Sequence, residues 1–161
     1  QELYRPLRRR PNLFRPDGVV LCYSVVSSGP AAHRGSMENL LGEQYKELLD
    51  RVSLEKQVTR QAPPFFLWHT ADDTCVPVEN TLLLEAALRA KGVGVETHIY
   101  PHGSHGQSLA DHTVFAPGQD WMASAPCAVW VNHCTAWLHR HFGDYAVAPH
   151  PDEQTKPRKK R

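Results

Sequence analysis

Two loop segments contain the residues with the clearest potential for chemistry. Asp73 comes shortly after the apolar run 64–68, and His105 comes shortly after the run 95–100. A carboxylate beside an imidazole fixes the tautomer of the ring and stabilises its protonated form, which is the acid–base part of a nucleophilic hydrolase site. If both runs are neighbouring parallel strands, an Asp73 oxygen is expected about 2.6–3.2 Å from His105 Nδ1 at one edge of the sheet. Spacing alone also allows both to be solvated loop residues.

Asp72 is the rival for the acid, and it is alternatively a solvated neighbour or a cap for the helix that follows. Four nearby histidines suggest a zinc site, since imidazole is a zinc ligand. They are His98, His102, His105 and His112. His98 falls inside a predicted strand, however, and the spacing matches no ligand pattern. No metal and no cofactor are therefore expected.

The elements that must position these residues alternate between strands and helices. Residues 19–26 form a continuous apolar, β-branched run, which predicts a strand covered on both faces. A helix is predicted over residues 77–90, with Leu83 or Leu84 among its most buried residues. Its apolar stripe is Leu82, Leu83, Ala86, Ala87 and Ala90. Strand, helix and strand with short links form a βαβ unit with a right-handed crossover. The predicted fold class is α/β, three-layer, with a mostly parallel sheet of at least three strands.

The flanking segments give weaker signals. Residues 31–42 are expected to form a loop, residues 43–50 a short helical stretch, and Ser53 a cap for the turn that follows. Apolar residues at three- and four-residue steps predict a final helix that begins at Ser124 and is ended by Gly143.

Length and composition suit one globular domain. The chain has 161 residues, of which 41% are hydrophobic and 22% are charged, and its net charge is +1. This balance argues against a nucleic-acid partner, although basic residues crowd both ends. No apolar run approaches the roughly 20 residues that span a bilayer, and the arginine-rich start lacks the apolar core of a signal peptide. A cytoplasmic protein without a membrane partner is expected. The four cysteines show no CxxC spacing and are expected to be reduced.

Two motifs carry a family resemblance. They read His69-Thr70-x-x-Asp73-x-x-Val76-Pro77-x-Glu79-Asn80 and His98-Ile99-Tyr100-Pro101-x-Gly103-x-His105-Gly106. Both resemble the carboxyl-terminal half of α/β-hydrolases, in the branch of acetyl-xylan and feruloyl esterases that is related to prolyl oligopeptidases. The resemblance implies Asp73 as the triad acid and His105 as the triad base. The branch usually has proline where Ser24 stands and glycine where Ser104 stands.

The resemblance also divides the chain into three segments. Residues 1–16 are expected to be a connector, and residues 17–143 the carboxyl-terminal part of an α/β-hydrolase domain. Residues 144–161 are proline-rich and basic, and are expected to be a disordered tail.

A nucleophile is not identified by any motif. In α/β-hydrolases the serine precedes the acid and the histidine, on a Gly-x-Ser-x-Gly elbow, and no such elbow occurs in these 161 residues. Ser27 and Ser28 follow the first predicted strand but lack the turn into a helix. Cys22 falls inside that strand. Cys75 is too close to Asp73 in sequence to attack within the same triad.

The expected function is therefore the acid-and-base half of a serine ester hydrolase. Its substrate would be an acyl ester of a carbohydrate or small molecule, once the amino-terminal half of the fold (the front half) supplies the serine. The alternative is a non-catalytic, truncated hydrolase-like protein that serves as an interaction or dimerisation module. Without a front-half neighbour, the strand at residues 19–26 is expected to expose an edge through which the chain self-associates.

Overall fold

The computed structural model describes residues 15–114, 118 and 126–143. The predicted tail at 144–161 and nearly all of the predicted connector at 1–16 lie outside this range. In the described part, no helix has the length and apolar character needed to cross a membrane. All four cysteines are free thiols.

Three parallel strands form one sheet in the order β1-β2-β3. They are β1 (Val19–Cys22), β2 (Phe65–Thr70) and β3 (Val95–Tyr100). Apolar side chains of the central strand alternate between the two faces, because successive residues of a strand point in opposite directions. The predicted α/β class with a parallel sheet of at least three strands is confirmed.

Helices cover both faces of the sheet. The longest are α4 (Glu79–Ala90) and α5 (Trp130–Phe142), and α5 follows a 3₁₀ turn at Pro126–Val129. One core cluster packs Leu67 against Leu84 and Leu88 of α4. The other packs Phe66 and Trp68 against α5, around Trp137. Three shorter helices precede β2, namely α1 (Arg34–Leu41), α2 (Tyr45–Leu48) and α3 (Leu54–Gln57).

The first strand is shorter than the predicted strand at 19–26. It ends at Cys22 because Tyr23 takes a left-handed backbone conformation, with φ at 39°. Val26 is fully buried, but it lies in the loop after β1. Its backbone N–H donates to Asn80 Oδ1 at 2.9 Å. Within the strand, Val20 is 36% exposed, so one face of β1 is only partly covered by the described residues.

Two further sequence predictions are corrected. Part of the expected loop at 31–42 is helical, because α1 occupies it. Ser53 precedes α3, but its hydroxyl makes no capping bond to that helix. It donates instead to Glu55 Oε1 at 3.0 Å and accepts from the Ser28 amide at 2.8 Å, so it ties α3 to the loop after β1.

Helix α4 faces the sheet with a different set of residues from the predicted stripe. Leu82 and Leu83 are 45% and 40% exposed, whereas Leu84 is 2% exposed. Two polar residues, Asn80 and Thr81, are buried beside Leu84 and Leu88. The expectation that Leu83 or Leu84 would be among the most buried residues of the helix is met by Leu84.

Candidate active site

The two loops of interest begin at the same level of the sheet. Thr70, the last residue of β2, is in register with Tyr100, the last residue of β3. The Ala71 amide then donates to the Tyr100 carbonyl at 2.7 Å, which extends the pairing one step beyond the strands. The acid loop (residues 71–77) and the histidine loop (residues 101–108) therefore leave the sheet side by side.

Asp73 and His105 meet between these loops. Asp73 Oδ2 lies 2.8 Å from His105 Nδ1, which is within the expected range. Because a carboxylate only accepts, Nδ1 carries the proton, and the lone pair of a neutral ring is on Nε2. Among the described residues Nε2 has no hydrogen-bond partner, and the His105 side chain is 33% exposed. The arrangement leaves a proton acceptor facing outwards, backed by a buried carboxylate.

Backbone amides hold the other oxygen of Asp73. Oδ1 accepts from the amides of Cys75 at 2.8 Å and Val76 at 2.9 Å. Burial favours the protonated carboxyl, but these amides and His105 outweigh it and hold the pKa of Asp73 below its usual value. Asp73 is therefore an ionised carboxylate at neutral pH, although its side chain is fully buried.

Asp72 joins the two loops to each other and makes no hydrogen bond to His105 in the described structure. Its carboxylate accepts from the Gly103 amide at 2.9 Å and lies 3.0 Å from His102 Nδ1. The bonds from His102 and from the Gly103 amide lower the pKa of Asp72. Asp72 is thus not the cap of α4, and its side chain, which is 51% exposed, bonds to the histidine loop.

Glycine is required at position 103 by its close approach to β2. The Gly103 carbonyl accepts from the Thr70 hydroxyl at 2.7 Å, and a Cβ would lie only 2.7 Å from Thr70 Cγ2. Its φ of +157° also disfavours other residues. A larger residue here would push the histidine loop away from the acid loop.

Two aromatic residues that the sequence did not single out hold the far side of the histidine loop. The Tyr23 ring packs edge-on against His105, with centroids 4.9 Å apart, and its hydroxyl accepts from the Ser108 amide at 3.2 Å. Trp130 donates from Nε1 to the Ser108 carbonyl at 2.8 Å. Tyr23 reaches this position because the chain turns directly after β1. No periodicity in the sequence reports such a turn.

None of the serines and thiols considered as nucleophiles is hydrogen-bonded to His105 in the described structure. Ser27 donates to Glu55 at 2.9 Å, and the Ser28 hydroxyl lies 2.7 Å from that of Ser53. Cys22 is partly buried, which raises the pKa of its thiol. Cys75 is exposed, and its Sγ lies 3.8 Å from His33 Nε2.

Three of the four histidines considered as zinc ligands are engaged separately. His98 stacks on His133 with ring centroids 4.4 Å apart, and its Nε2 lies 2.9 Å from Glu96 Oε1. His102 pairs with Asp72, and His105 with Asp73. Over the described residues, no group of three or more histidines, cysteines or carboxylates is placed to hold a metal ion.

The sequence of this site matches a known family. A family model described as "Prolyl oligopeptidase family" matches residues 23–145, which span both loops. The chain belongs to the prolyl oligopeptidase family. Among curated proteins, endo-1,4-beta-xylanase B of Butyrivibrio fibrisolvens is 43% identical over 103 residues, or 63% of this chain and 16% of the xylanase.

Solved structures of esterases and sugar hydrolases share the fold. An acetyl ester-xyloside bifunctional hydrolase from Caldicellulosiruptor lactoaceticus is 42% identical, with a TM-score of 0.67 over 78% of this chain and 43% of that one. A carboxylesterase from Lactobacillus plantarum is 26% identical, with a TM-score of 0.67 over 84% of this chain and 50% of that one. The chain thus spans half or less of these relatives, and its fold is that of part of an α/β-hydrolase of the esterase type. The resemblance noted in the sequence is confirmed.

Proposed function

We propose that this member of the prolyl oligopeptidase family supplies the acid and the base of a serine ester hydrolase, acting on acyl esters of carbohydrates or small molecules. The 2.8 Å contact between Asp73 and a partly exposed His105 supports the acid–base role. The similarity to an acetyl ester-xyloside hydrolase and a carboxylesterase supports the substrate class.

The proposed chemistry needs a serine from a segment outside these 161 residues. Its hydroxyl oxygen attacks the ester carbonyl while His105 Nε2 takes the hydroxyl proton. Asp73 holds the Nδ1 proton and stabilises the imidazolium that forms. As the ester C–O bond breaks, the alcohol leaves with the proton from Nε2. Water then repeats the sequence on the acyl-enzyme and releases the carboxylic acid.

Complementation tests this proposal. The chain is mixed with a separately produced segment that carries a Gly-x-Ser-x-Gly elbow, from the same gene or from a matched relative, and hydrolysis of nitrophenyl acetate is measured. Asp73→Asn is expected to lower the turnover number by about 10⁴-fold, and His105→Ala by at least as much. Asp50→Asn is the control, because Asp50 is exposed and pairs with Lys56.

Each outcome has a separate meaning. The chain alone should hydrolyse the ester no faster than its His105→Ala variant. A robust rate lost on that substitution would show a nucleophile within these residues. A complemented rate that is unchanged by both substitutions would contradict the assignment of Asp73 and His105 as acid and base. A proline-containing nitroanilide peptide is the second substrate to be tested. A clear preference for it would show that the substrate is a peptide and not an ester.

A further inference from the structure

A second imidazole lies against the Asp73 carboxylate. His69 is the second-to-last residue of β2 and is fully buried. Its Nδ1 lies 2.7 Å from the Thr81 hydroxyl of α4, and its Nε2 lies 2.9 Å from the Val76 carbonyl oxygen. The same Nε2 is 3.3 Å from Asp73 Oδ2, the oxygen that faces His105.

These partners determine where the His69 proton is. The Val76 carbonyl and the Asp73 carboxylate can only accept, so the proton is on Nε2, and Nδ1 accepts from the Thr81 hydroxyl. Burial lowers the pKa of His69, and this outweighs the opposing effects of the Val76 carbonyl and of Asp73. His69 is therefore a neutral donor at neutral pH.

The contacts make His69 a support for the whole acid loop. The Val76 amide donates to Asp73 Oδ1, and the Val76 carbonyl accepts from His69. Val76 therefore links the His69 ring to the Asp73 carboxylate. Oδ2 then faces two ring nitrogens, His69 Nε2 at 3.3 Å and His105 Nδ1 at 2.8 Å. With two amides on Oδ1, rotation of the carboxylate would break contacts on both oxygens.

We infer that His69 is a positioning residue for the acid. While uncharged, it donates its Nε2–H to the Val76 carbonyl at 2.9 Å and presents the same N–H to Asp73 Oδ2 at 3.3 Å, and so holds Asp73 towards His105. This inference rests on the proposed function of Asp73 and His105. Neutrality matters because an imidazolium at position 69 would compete with the protonated His105 for the same oxygen. His69 itself touches no reacting atom and takes no proton from the serine.

Nuclear magnetic resonance of the full chain tests the inference without turnover. Nitrogen-15 spectra of the histidine rings should show His69 with a protonated Nε2 and an unprotonated Nδ1 at neutral pH. Protonation on Nδ1, or a doubly protonated ring, would overturn the inference.

Three variants then separate positioning from packing, with the midpoint of the Asp73 carboxyl titration as the readout. His69→Phe keeps the volume but removes the N–H, and should raise the midpoint. His69→Gln offers an amide N–H in place of Nε2–H, and should restore much of the wild-type value. Thr81→Val removes only the bond to Nδ1, and should destabilise the fold while moving the midpoint less than His69→Phe does.

Equal shifts in His69→Phe and Thr81→Val, with no rescue by His69→Gln, would mean that the ring acts through packing alone. If His69→Phe does not fold, the wild-type tautomer and the other two variants still decide. Failure of ester hydrolysis in the complementation assay would leave all of these readings unchanged, so the two proposals fail separately.

Discussion

Replacement of Asn80 by alanine should remove the main tie between the loop after β1 and the start of α4. Asn80 is fully buried, and its Oδ1 accepts from the amides of Val26 and Ser27, both at 2.9 Å. Its Nδ2 donates to the carbonyls of Ala31 at 2.8 Å and Pro77 at 3.0 Å. One side chain thus satisfies four backbone groups from three segments of the chain.

The cost follows from the burial of the groups left behind. Val26 and Ser27 are 0% and 2% exposed, so neither amide can turn to water after the substitution. A buried donor left without an acceptor costs about 1–3 kcal/mol, which gives about 2–6 kcal/mol for the pair. Ala31 and Pro77, which carry the two carbonyls, are partly exposed, so these oxygens can be hydrated at smaller cost. The loss is a large part of the roughly 5–15 kcal/mol that stabilises a typical domain.

Urea unfolding at fixed pH measures this change. Asn80→Ala should shift the midpoint to lower urea with an unchanged slope. Leu83→Ala is the control on the same helix, because Leu83 is 40% exposed. A loss below about 1 kcal/mol for Asn80→Ala would refute the reasoning, since a buried unsatisfied amide costs at least that much.

Three other outcomes are expected. Leu84→Ala should cost about 2–5 kcal/mol and Leu83→Ala far less, so equal melting shifts would place α4 differently. Stability should fall as the pH drops below the ordinary histidine pKa of 6.5. Burial lowers the pKa of His69 in the folded state, so in this pH range the unfolded chain binds more protons than the folded chain does. Urea midpoints at neutral and mildly acidic pH should show this fall in the wild type and a smaller one in His69→Gln. We also propose that the chain self-associates through the edge of β1 that is not paired with any described strand. Sedimentation should show this, Val20→Lys should weaken it, and a stable wild-type monomer at tens of micromolar would contradict it.

The sequence was a good guide where local signals and tertiary structure agree. Strand β3 has the predicted bounds, because Gly94 precedes a short segment rich in strand formers, namely Val95, Thr97, Ile99 and Tyr100, and Pro101 follows it. The approach of Asp73 to His105 was predictable in outline, since two parallel strands that end at one edge bring their loops together.

The errors occur where polar residues are buried or where a residue takes an unusual conformation. Helix α4 turns Asn80 and Thr81 inwards, where they bind the loop after β1 and His69, so the apolar spacing alone indicated the wrong stripe. Tyr23 ends β1 with a positive φ that its residue type does not announce. Both features support the candidate site, which explains why a pattern of apolar residues misses them.

The two amides that hold Asp73 Oδ1 have a consequence for how far the acid loop can vary. They belong to the backbone of Cys75 and Val76, so the carboxylate does not depend on the side chain at position 75. That side chain is exposed, and Thr74 before it is exposed as well. Many residue types can therefore occupy both positions without changing the hydrogen bonds to the Asp73 carboxylate. Proline at position 75 is the exception, because it has no N–H to give.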